Sequence, residues 1–328
     1  MAQRQVSVRL EQWPMHAPFQ ITGHLFTALD CVVVEIAEAG AVGRGEAAGV
    51  YYLNDTVADA IEQIGDLVPE LEKGLDRQTL QTTLPAGGAR NAIDCALWDL
   101  ECKLSGQSIW QKVNATPREL VTCQTIGVMP SLAETAAAAK ALKGFELIKL
   151  KLNGDMPIER VRVVREARPD VRLIVDANQG LTLPLLQECL PEFAKARVEM
   201  VEQPLPRGGD AGLEAIEHLV PIAADESCLH RAELAEAAKR YDMINIKLDK
   251  TGGLTEALLF ADDILALGLQ YMVGNMLGTS LAMAPAFVVA LKGQLADLDG
   301  PVALKSDRIG GLTYRTGRVS PFDGALWG

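Results

Sequence analysis

Positive charge is scarce in this sequence. Its 31 lysine and arginine residues are outnumbered by 43 aspartate and glutamate residues, so the formal net charge at pH 7 is −12. Because nucleic acids and anionic membranes are bound by basic surfaces, this balance argues against both as partners. We expect a ligand that is small or cationic, or that arrives with a metal ion of its own.

Paired cysteines and long apolar runs are also missing. The six cysteines form no CxxC pair and show no regular spacing of the kind found in small secreted proteins, so we expect them to be reduced. The stretch MAQRQVSVRLEQW lacks the continuous apolar segment of a signal peptide. No run of about 18 apolar residues, the length that crosses a membrane, occurs anywhere. These absences predict a cytoplasmic protein.

A repeating unit of strand, loop and helix occupies the chain from about residue 120 to about residue 300. Its apolar runs follow one another at intervals of roughly 22 to 28 residues, which is typical of parallel βαβ units. The runs are TCQTIGV, ELIKLKL, RLIVDAN, VEMVEQP, PIAADES, YDMINIKLD, LQYMVGN and LADLDG. They predict the α/β class and a (β/α)8-type barrel, although the period also permits a doubly wound open sheet.

The segments on either side of this repeat have a different pattern. QVSVRLEQW and CVVVEIAEAG resemble an antiparallel strand pair, and GARNAIDCALWDLECKLSG has helical spacing with a stop at Gly106. We predict an α+β capping domain over residues 1–117 and a barrel over residues 118–303, in which another structure can replace the last helix. The glycine-rich tail, residues 304–328, is predicted to return to the capping domain.

Successive predicted strands end in an acid: Asp176 in IVDANQG, Glu202 in MVEQPLP and Asp225 in IAADES. One such acid is often only a helix N-cap, but three neighbours in step indicate a shared role at the barrel face that holds active sites. Converging carboxylates need a cation between them, and oxygen ligands favour Mg²⁺, with Mn²⁺ as the second candidate. No predicted strand ends in histidine, which argues against zinc. Asn178 could orient a ligand.

Two lysines interrupt the apolar run in ELIKLKLNGD. Lys149 and Lys151 point to the same side of their strand, towards the acids. Lys247 enters from the strand that follows the acids, and Asp249, two residues on, is expected to point the same way and to orient it. An ammonium group near Mg²⁺ and a second ammonium group is disfavoured, so we expect the pKa of these lysines to fall towards the range of a working base.

Lysines on both flanks of a metal could remove a proton from one face of a carbon atom and return it to the other. This pattern indicates a racemase or epimerase, or a β-elimination that uses one lysine of the pair. The lysines could instead form a structural salt-bridge network, or one could form a Schiff base as in barrel aldolases. A buried network contributes doubtful net stability, and an aldolase would not need the three acids.

The last predicted strand, QLADLDGP, places Asp297 and Asp299 on one side. They are either a solvated acidic turn or a docking site for a substrate ammonium group, since the metal and Lys149 already provide for an anionic group. At the end of the seventh strand, GNMLGTS is either a plain turn or a source of substrate contacts, with Met276 at the bend. Thr125 on the first barrel strand is a further predicted substrate contact.

These residues resemble the enolase superfamily and, within it, the dipeptide epimerases typified by the L-Ala-D/L-Glu epimerases of the muconate-lactonizing-enzyme-like branch. The motifs PMHAPF, LPAGGARNAIDCALWDLE, NIKLDKTGGLTEAL and ADLDGP carry the resemblance over nearly the whole chain. The resemblance implies that Asp176, Glu202 and Asp225 are the Mg²⁺ ligands and that Lys151 and Lys247 are the acid/base pair. It also implies that Lys149 assists the metal and that Asp297 and Asp299 bind an ammonium group.

The implied activity is that of an isomerase, which moves a proton at the α-carbon of the C-terminal residue of a dipeptide through an enediolate. Recycling of murein (peptidoglycan) peptides is the implied setting, and the analogy leaves room for a homo-oligomer. Members that act on a C-terminal Glu carry an arginine in the loop after the first strand. Here Gly23 takes that place, with His24 and Phe26 as the nearest candidates to line the pocket, so a neutral or apolar residue is a second expectation.

Alternatives from the same superfamily are an o-succinylbenzoate synthase and an N-succinylamino acid racemase, which bind an acylated rather than a free amino group. A non-catalytic barrel with a binding or structural role is the alternative from a different class.

Overall fold

The computed structural model describes residues 4–21 and 24–328, with the side chains of Ile21 and His24 outside that description. The N-terminal part is an antiparallel sheet with the order β1-β2-β3. Its strands are β1 (Gln5–Ile21), β2 (His24–Glu38) and β3 (Ala41–Ala47). Val8 pairs with Val34, and Val34 pairs with Gly45. The predicted strand pair is confirmed, and both strands extend beyond the predicted runs.

Helices follow this sheet in the chain, and the first and third of them pack against it. They are α1 (Val57–Glu72), α2 (Arg77–Thr83), α3 (Gly88–Ser105) and α4 (Ile109–Lys112). The backbone of α3 lies so close to β3 that a β-carbon at Gly45 would meet the carbonyl oxygen of Ala92 at 2.0 Å. Gly106 ends α3 in the left-handed region, at φ 67°, where glycine has no steric penalty. The predicted helix and its stop are confirmed.

The central sheet is parallel and contains eight strands in the order β12-β11-β10-β9-β8-β7-β6-β5. The strands are β5 (Gln124–Ile126), β6 (Leu147–Lys151), β7 (Arg172–Asp176), β8 (Val198–Glu202), β9 (Ile222–Ala224), β10 (Met243–Ile246), β11 (Gln270–Val273) and β12 (Leu295–Ala296). The N–H group of Cys123, just before β5, donates to the carbonyl oxygen of Ala296 over 2.9 Å. This bond joins the two edges of the sheet, and the barrel prediction is confirmed.

Helices follow most of the barrel strands. They are α5 (Leu132–Ala141), α6 (Pro157–Ala167), α7 (Leu183–Lys195), α8 (Leu234–Ala237), α9 (Leu248–Thr251), α10 (Leu254–Ala266) and α11 (Ser280–Ala290). After β12, the described residues contain no further α-helix, and a 3-10 turn, Gly300–Ala303, follows the strand instead. Within the described part of the chain, no helix has the length and apolar character needed to span a membrane.

The barrel interior is built in layers, because alternate residues of each strand point inward. The lowest layer is a separate apolar cluster with one residue from each strand or its start: Cys123, Leu147, Ile174, Met200, Ala223, Met243, Met272 and Leu295. Two residues further along each strand lies a layer that is mostly polar: Thr125, Lys149, Asp176, Glu202, Asp225, Asn245, Gly274 and Asp297. The fold therefore places the predicted acids and lysines above a packed apolar floor.

The C-terminal segment contacts both parts of the molecule. A hairpin of β13 (Tyr314–Arg315) and β14 (Arg318–Val319) pairs with β4 (Leu120–Val121). The indole N–H of Trp327 donates to the carbonyl oxygens of Arg44 and Cys95 in the N-terminal part. These contacts accord with a returning tail, while the predicted domain limits at residues 117 and 303 stay a prediction.

Candidate active site

A cavity of about 120 Å³ opens above the polar layer, at the carboxyl ends of the strands. Its lining includes all three predicted lysines and both acids of the last barrel strand, together with other predicted contacts: Lys149, Lys151, Lys247, Asp297, Asp299, Asp225, Asn178, Thr125, Met276 and Phe26. Gly274 leaves the room that this arrangement needs, because a β-carbon there would lie 2.7 Å from Oδ1 of Asn245.

Lys149 connects three carboxylates from three strands. Its Nζ atom lies 2.7 Å from Glu202 Oε2, 2.9 Å from Asp297 Oδ2 and 3.0 Å from Asp176 Oδ2, and the residue is 1% exposed. The Oε2 atom of Glu202 makes no hydrogen bond among the described residues, so its contact with Lys149 is an ion pair only. The three acids and this buried ammonium group form one charged cluster.

Lys151 lies one layer higher, beside Asp176. Its Nζ atom donates to Asp176 Oδ2 over 2.6 Å and to Asn178 Oδ1 over 3.0 Å. The N–H group of Asn178 donates to the other carboxylate oxygen of Asp176 over 2.8 Å. Asn178, predicted to orient a ligand, is therefore positioned to hold Lys151.

Lys247 faces Asp225 from the other side of the cavity, with Nζ 2.7 Å from Asp225 Oδ2. Behind them, the fully buried Nζ atom of Lys250 lies 2.7 Å from Asp225 Oδ1 and 2.8 Å from the carbonyl oxygen of Asn245. Asp225 thus lies between two ammonium groups. One of these groups faces the cavity and the other does not.

The order of the strands around the barrel decides how these groups face one another. In a closed ring of eight strands, β6 with Lys151 lies opposite β10, whose end carries Lys247, and the acid-bearing ends of β7, β8 and β9 lie between them. In the same ring, β8 with Glu202 lies opposite β12, which leads into Asp297 and Asp299. A ligand that spans the mouth from β8 to β12 would therefore have one lysine on each side.

The pKa values of two of the lysines, Lys149 and Lys247, are raised when the protein groups act alone. Burial disfavours the charged forms of Lys149 and Lys247, but the surrounding acids outweigh it and raise the pKa of both above the ordinary range. Asp297 is the largest of these influences on Lys149, and Asp225 is the largest on Lys247. The predicted lowering presupposes a cation among the acids, and the protein groups alone give the opposite result.

The acids at the mouth outnumber the lysines, and burial opposes the ionisation of several of them. Burial raises the pKa of Glu202, and Asp176 raises it further; burial and then Asp225 raise the pKa of Glu226 to about 8. Burial also opposes ionisation of Asp225, yet Lys247 and Lys250 lower its pKa below the ordinary range. Oε2 of Glu226 is buried and has no hydrogen-bond partner among the described residues.

The donor chemistry at this site fits a divalent cation. Six acids lie close to four lysines, which leaves an excess of two negative charges when every one of these groups is ionised. The acids are Asp176, Glu202, Asp225, Glu226, Asp297 and Asp299, and the lysines are Lys149, Lys151, Lys247 and Lys250. The nearest donors are oxygens, which suit a hard ion. Over residues 4–21 and 24–328, no three acidic, histidine or cysteine side chains enclose a metal position directly. The lysine ammonium groups lie between the acids.

Asp297 and Asp299 lie in the cavity but differ in their partners. Asp297 accepts from Lys149 at Oδ2 over 2.9 Å and from the thiol of Cys123 at Oδ1 over 3.0 Å. Burial opposes its ionisation, but Lys149 lowers the pKa of Asp297 to about 2. Asp299 accepts from the N–H group of Thr125 over 2.9 Å, and burial together with Asp297 raises its pKa to about 7. A cationic group in the cavity would therefore favour the ionised form of Asp299 more than that of Asp297, which already has Lys149 as a partner.

The predicted role of Asp249 is wrong. Strand β10 ends at Ile246, and helix α9 begins at Leu248, so the alternation that would align Asp249 with Lys247 does not continue. Oδ1 of Asp249 instead accepts from the N–H groups of Ala48 and Gly49, each over 3.0 Å. Asp249 lies outside the cavity lining and connects the barrel to the N-terminal part.

The N-terminal part closes the cavity with aromatic side chains: Phe19, Phe26, Tyr51 and Tyr52. Phe26 and Met276 lie where the prediction placed them, and their contacts with substrate stay a prediction. Gly23 and the side chain of His24 lie outside the described residues.

Several residues of the site were not found from the sequence. Asn245 donates to Glu202 Oε1 over 2.7 Å, and a polar residue two positions before Lys247 in INIK was a signal for it. Lys250 lies on a helix, so strand alternation gave no signal. Tyr51 and Tyr52 reach the cavity from a distant part of the chain, and their sequence neighbours do not indicate it.

Two known protein families match this chain. Residues 3–113 match the family described as mandelate racemase / muconate lactonizing enzyme, N-terminal domain. Residues 131–324, more than half of the chain, match the family described as enolase C-terminal domain-like. The chain belongs to the enolase superfamily. The resemblance drawn from the motifs is confirmed.

Curated relatives within the superfamily cover nearly the whole chain. The chain is 42% identical to the L-Ala-D/L-Glu epimerase of Escherichia coli (strain K12), over 96% of this chain and 99% of that protein. It is 36% identical to the N-acetyl-D-glutamate racemase of Pseudoalteromonas sp, over 90% of this chain and 95% of that protein. The prediction that the chain is an isomerase is confirmed.

Solved structures of superfamily members have the same fold. One, from Agrobacterium tumefaciens, has homology to dipeptide epimerases and contains bound sodium and L-Ala-L-Glu; its TM-score is 0.96 at 40% identity, over 99% of this chain and all of that one. Another is the dipeptide epimerase from Enterococcus faecalis V583, complexed with Mg and L-Leu-L-Tyr; its TM-score is 0.90 at 29% identity, over 98% of each chain.

Proposed function

We propose that this protein epimerises the C-terminal residue of dipeptides by moving the α-proton between two lysines. The observation that carries the proposal is the placement of Lys151 and Lys247 on opposite strands of the barrel mouth, with both lining one cavity. A base on each side of a bound α-carbon is the arrangement that inversion requires. The epimerases among the relatives support the same reaction class.

Asp176, Glu202 and Asp225 are proposed to hold Mg²⁺, with Mn²⁺ as the second candidate. The oxygen-only donors and the excess of negative charge support this assignment, as does the Mg found with a dipeptide in the Enterococcus faecalis relative. A divalent cation bound there would stabilise the negative charge that develops on the substrate carboxylate as the proton leaves. The same charge would lower the pKa of the neighbouring lysines, as the sequence analysis expects.

The three lysines are proposed to have different roles. Lys149, held by three acids, would donate hydrogen bonds to the substrate carboxylate and stay charged. Lys151 or Lys247, in its neutral form, would take the α-proton, while the other lysine, in its ammonium form, would give a proton to the opposite face of the enediolate. Asp176 with Asn178 on one side, and Asp225 on the other, fix where each Nζ atom lies.

Asp297 and Asp299 are proposed to bind the free α-ammonium group of the dipeptide. Asp299 is the stronger candidate for direct contact, because both oxygens of Asp297 already accept hydrogen bonds within the protein. A second function, racemisation of N-acylated amino acids, is favoured by the relative that acts on N-acetyl-D-glutamate. An acyl amide has no positive charge for these acids to bind, so they distinguish the two functions.

The test is α-proton exchange, followed by NMR in D2O with Mg²⁺, on L-Ala-L-X dipeptides and on N-acetyl and N-succinyl amino acids. We expect exchange with inversion on the dipeptides and its loss on chelation of the metal. Lys151→Ala and Lys247→Ala should each abolish inversion and retain exchange from one stereoisomer only, a different one in each variant. Full epimerisation by either variant would rule out the two-base scheme.

Asp299→Asn is the variant that separates the two substrate classes. It should raise KM for dipeptides and leave N-acyl substrates unaffected if dipeptides are the substrates. Exchange only on N-acyl compounds, with no effect of Asp299→Asn, would replace the dipeptide assignment with the racemase one. Cytoplasmic location, a homo-oligomeric assembly and a role in peptidoglycan recycling stay predictions.

A further inference from the structure

We propose that Glu46 is a positioning residue for the candidate active site, although it lies in strand β3 of the N-terminal part and outside the cavity lining. It holds the segment of residues 274–279, which connects β11 to α11 and borders the cavity. Through Asn275 of this segment, it fixes Asp297, an acid of the proposed ammonium site. This inference rests on the proposed function and adds to it a residue that does not touch the substrate.

Glu46 is buried at the contact between the N-terminal part and the barrel. The residue is 1% exposed, and its carboxylate accepts hydrogen bonds from residues far along the chain. Oε1 accepts from the N–H group of Thr279 over 2.7 Å. Oε2 accepts from the hydroxyl group of Thr279 and, over 2.6 Å, from the guanidinium group of Arg308. Buried polar groups that are satisfied in this way hold their partners rigidly.

Arg308 balances the charge of Glu46. Its Nε atom donates to the hydroxyl oxygen of Thr279 over 2.8 Å, and its guanidinium group lies 2.7 Å from Glu11 Oε2. The same group lies over the ring of Trp13, 4.9 Å from the centroid. The cluster thereby connects β1, β3, the C-terminal segment and the start of α11. Because a buried ion pair adds little net stability, the main effect of this cluster is to fix the relative position of these segments.

The segment that Glu46 holds has a conformation that needs support. Leu277 has a φ of 67°, a left-handed conformation that is strained for leucine, and its N–H group donates to Asn275 Oδ1 over 2.9 Å. Such strain persists only where the surrounding structure fixes it. Glu46 is close enough to do so, because a β-carbon at Gly278 would lie 3.5 Å from its Oε1 atom. Asn275, Met276 and Leu277 line the cavity, so the anchored segment shapes one wall of it.

Asn275 carries the constraint to the end of the last barrel strand. Its Nδ2 atom donates to the carbonyl oxygen of Asp297 over 2.7 Å. The two segments pack closely, since a β-carbon at Gly300 would lie 3.1 Å from Asn275 Oδ1. Lys151 and Lys247 are carried by other strands and held by other acids. Release of the segment should therefore weaken binding of the substrate ammonium group and leave proton transfer nearly intact.

Glu46→Gln is the first variant to test. In either orientation of the new amide, its NH2 group faces the N–H group of Thr279 or the guanidinium group of Arg308, so the segment loses part of its anchor. Kinetics are measured with Mg²⁺ on the L-Ala-L-X dipeptide that reacts fastest. We expect KM to rise roughly tenfold or more and kcat to fall by less than roughly threefold. An unchanged KM overturns this inference and leaves the proposed function intact.

Glu11→Gln is the matched control. It removes the other carboxylate beside Arg308 by the same chemical change, and the described polar partners of Glu11 are Arg9, Trp13 and Arg308. KM and kcat of this variant should stay within roughly threefold of the unmodified values. A rise in KM equal to that of Glu46→Gln would assign the effect to the charge balance of Arg308 and overturn the inference.

An inhibitor without an ammonium group separates positioning from a general loss of structure. N-propionyl-L-X is the same dipeptide with hydrogen in place of the ammonium group of its first residue. Its inhibition constant should change by less than roughly threefold in Glu46→Gln, because the ammonium site contributes nothing to its binding. An inhibition constant that rises as much as KM would show that the whole cavity is disturbed, and would overturn the inference.

Two variants of Thr279 decide the matter if Glu46→Gln does not fold. Valine has the shape of threonine without the hydroxyl group that Glu46 and Arg308 share, whereas serine keeps this group. We expect KM for the dipeptide to rise severalfold in Thr279→Val and to stay near the unmodified value in Thr279→Ser. Equal KM values in these two variants would overturn the inference. No reaction of the unmodified protein with any dipeptide overturns the proposed function and this inference with it.

Discussion

The two lower layers of the barrel interior lie only two residues apart along each strand, yet one stabilises the fold and the other forms the candidate site. The lower layer, with Leu147, Ile174 and Met200, is an apolar cluster that needs no partner beyond close packing. The layer above it, with Lys149, Asp176 and Glu202, is equally buried and consists of charges that must compensate one another. The same strand geometry therefore provides both the stability of the barrel and a site that reduces it.

Lys149→Met, a change in the polar layer, should have the largest effect on both stability and activity. The substitution removes the ammonium group shared by Asp176, Glu202 and Asp297 and leaves their charges buried together. We expect a loss of about 3–5 kcal/mol in the free energy of unfolding, as found when one partner of a buried ion pair is removed. Loss of the carboxylate contact should lower kcat by roughly 10²–10³-fold. Urea unfolding and epimerisation kinetics measure the two effects.

Ile174→Ala is the matched change in the lower layer, two residues before Asp176. The lost packing should lower the free energy of unfolding by about 2–5 kcal/mol. The site above keeps its charges and partners, so kcat/KM of the folded protein should stay within roughly threefold of the unmodified value. A loss of activity as large as that of Lys149→Met would show that the two layers do not act separately.

Asp249→Ala extends the comparison to the contact between the barrel and the N-terminal part. The buried N–H group of Gly49 and the partly buried N–H group of Ala48 would lose their acceptor, at a cost of about 1–3 kcal/mol. Because Tyr51 and Tyr52 follow this segment directly, we expect KM for dipeptides to rise roughly tenfold and kcat to change less. Asp249→Asn keeps an acceptor oxygen and should restore most of the affinity. Equal defects in both variants would argue for a role of the charge itself.

Asp94 provides a buried acid away from the mouth, and its expected effect is confined to the pH dependence of stability. Burial raises its pKa from 3.8 to about 6, against hydrogen bonds from Thr255. The folded protein therefore holds this proton more tightly than the unfolded chain does. The resulting stabilisation is present below pH 3.8 and is lost as the pH rises to about 6, a change of about 3 kcal/mol.

Asp94→Asn should remove this pH dependence and make the protein more stable than the unmodified one at pH 7. Asparagine can still accept from the N–H group of Thr255. Its NH2 group would replace the oxygen that accepts from Gln81 Nε2 over 3.0 Å, so the Gln81 amide must turn over to accept from it. Urea unfolding between pH 4 and pH 7 measures the slope. Asp30→Asn, at an exposed position of β2, is the control for the loss of one negative charge. An unchanged slope in Asp94→Asn would assign the dependence to other groups.

The sequence predicted the site wherever strand alternation held. Lys149, Lys151, Asp176 and Glu202 belong to strands that keep their period of two up to the mouth, so spacing alone placed them together. Asp249 failed because the chain turns into a helix directly after Lys247, and a turn resets the direction of each side chain. A local pattern predicts direction only as far as the element continues.

The residues that no pattern revealed come from contacts between distant parts of the chain. Tyr51 and Tyr52 are ordinary aromatic residues in their own segment, and only the docking of the N-terminal part on the barrel brings them to the cavity. Among the protein groups alone the pKa of Lys247 is raised, because Asp225 Oδ2 lies 2.7 Å from its Nζ atom, a distance that a sequence does not give; the lowering expected beside a metal ion stays a prediction.

The bond from Cys123 to Ala296 has a consequence for how the protein acquires its activity. It connects the first barrel strand to the last one, a contact of very large sequence separation that must form slowly. Until it forms, Asp299 cannot accept from Thr125, and the cavity lacks one end. A substrate that binds across the mouth can therefore recognise only the closed ring, and its binding should slow the opening of the sheet at this seam.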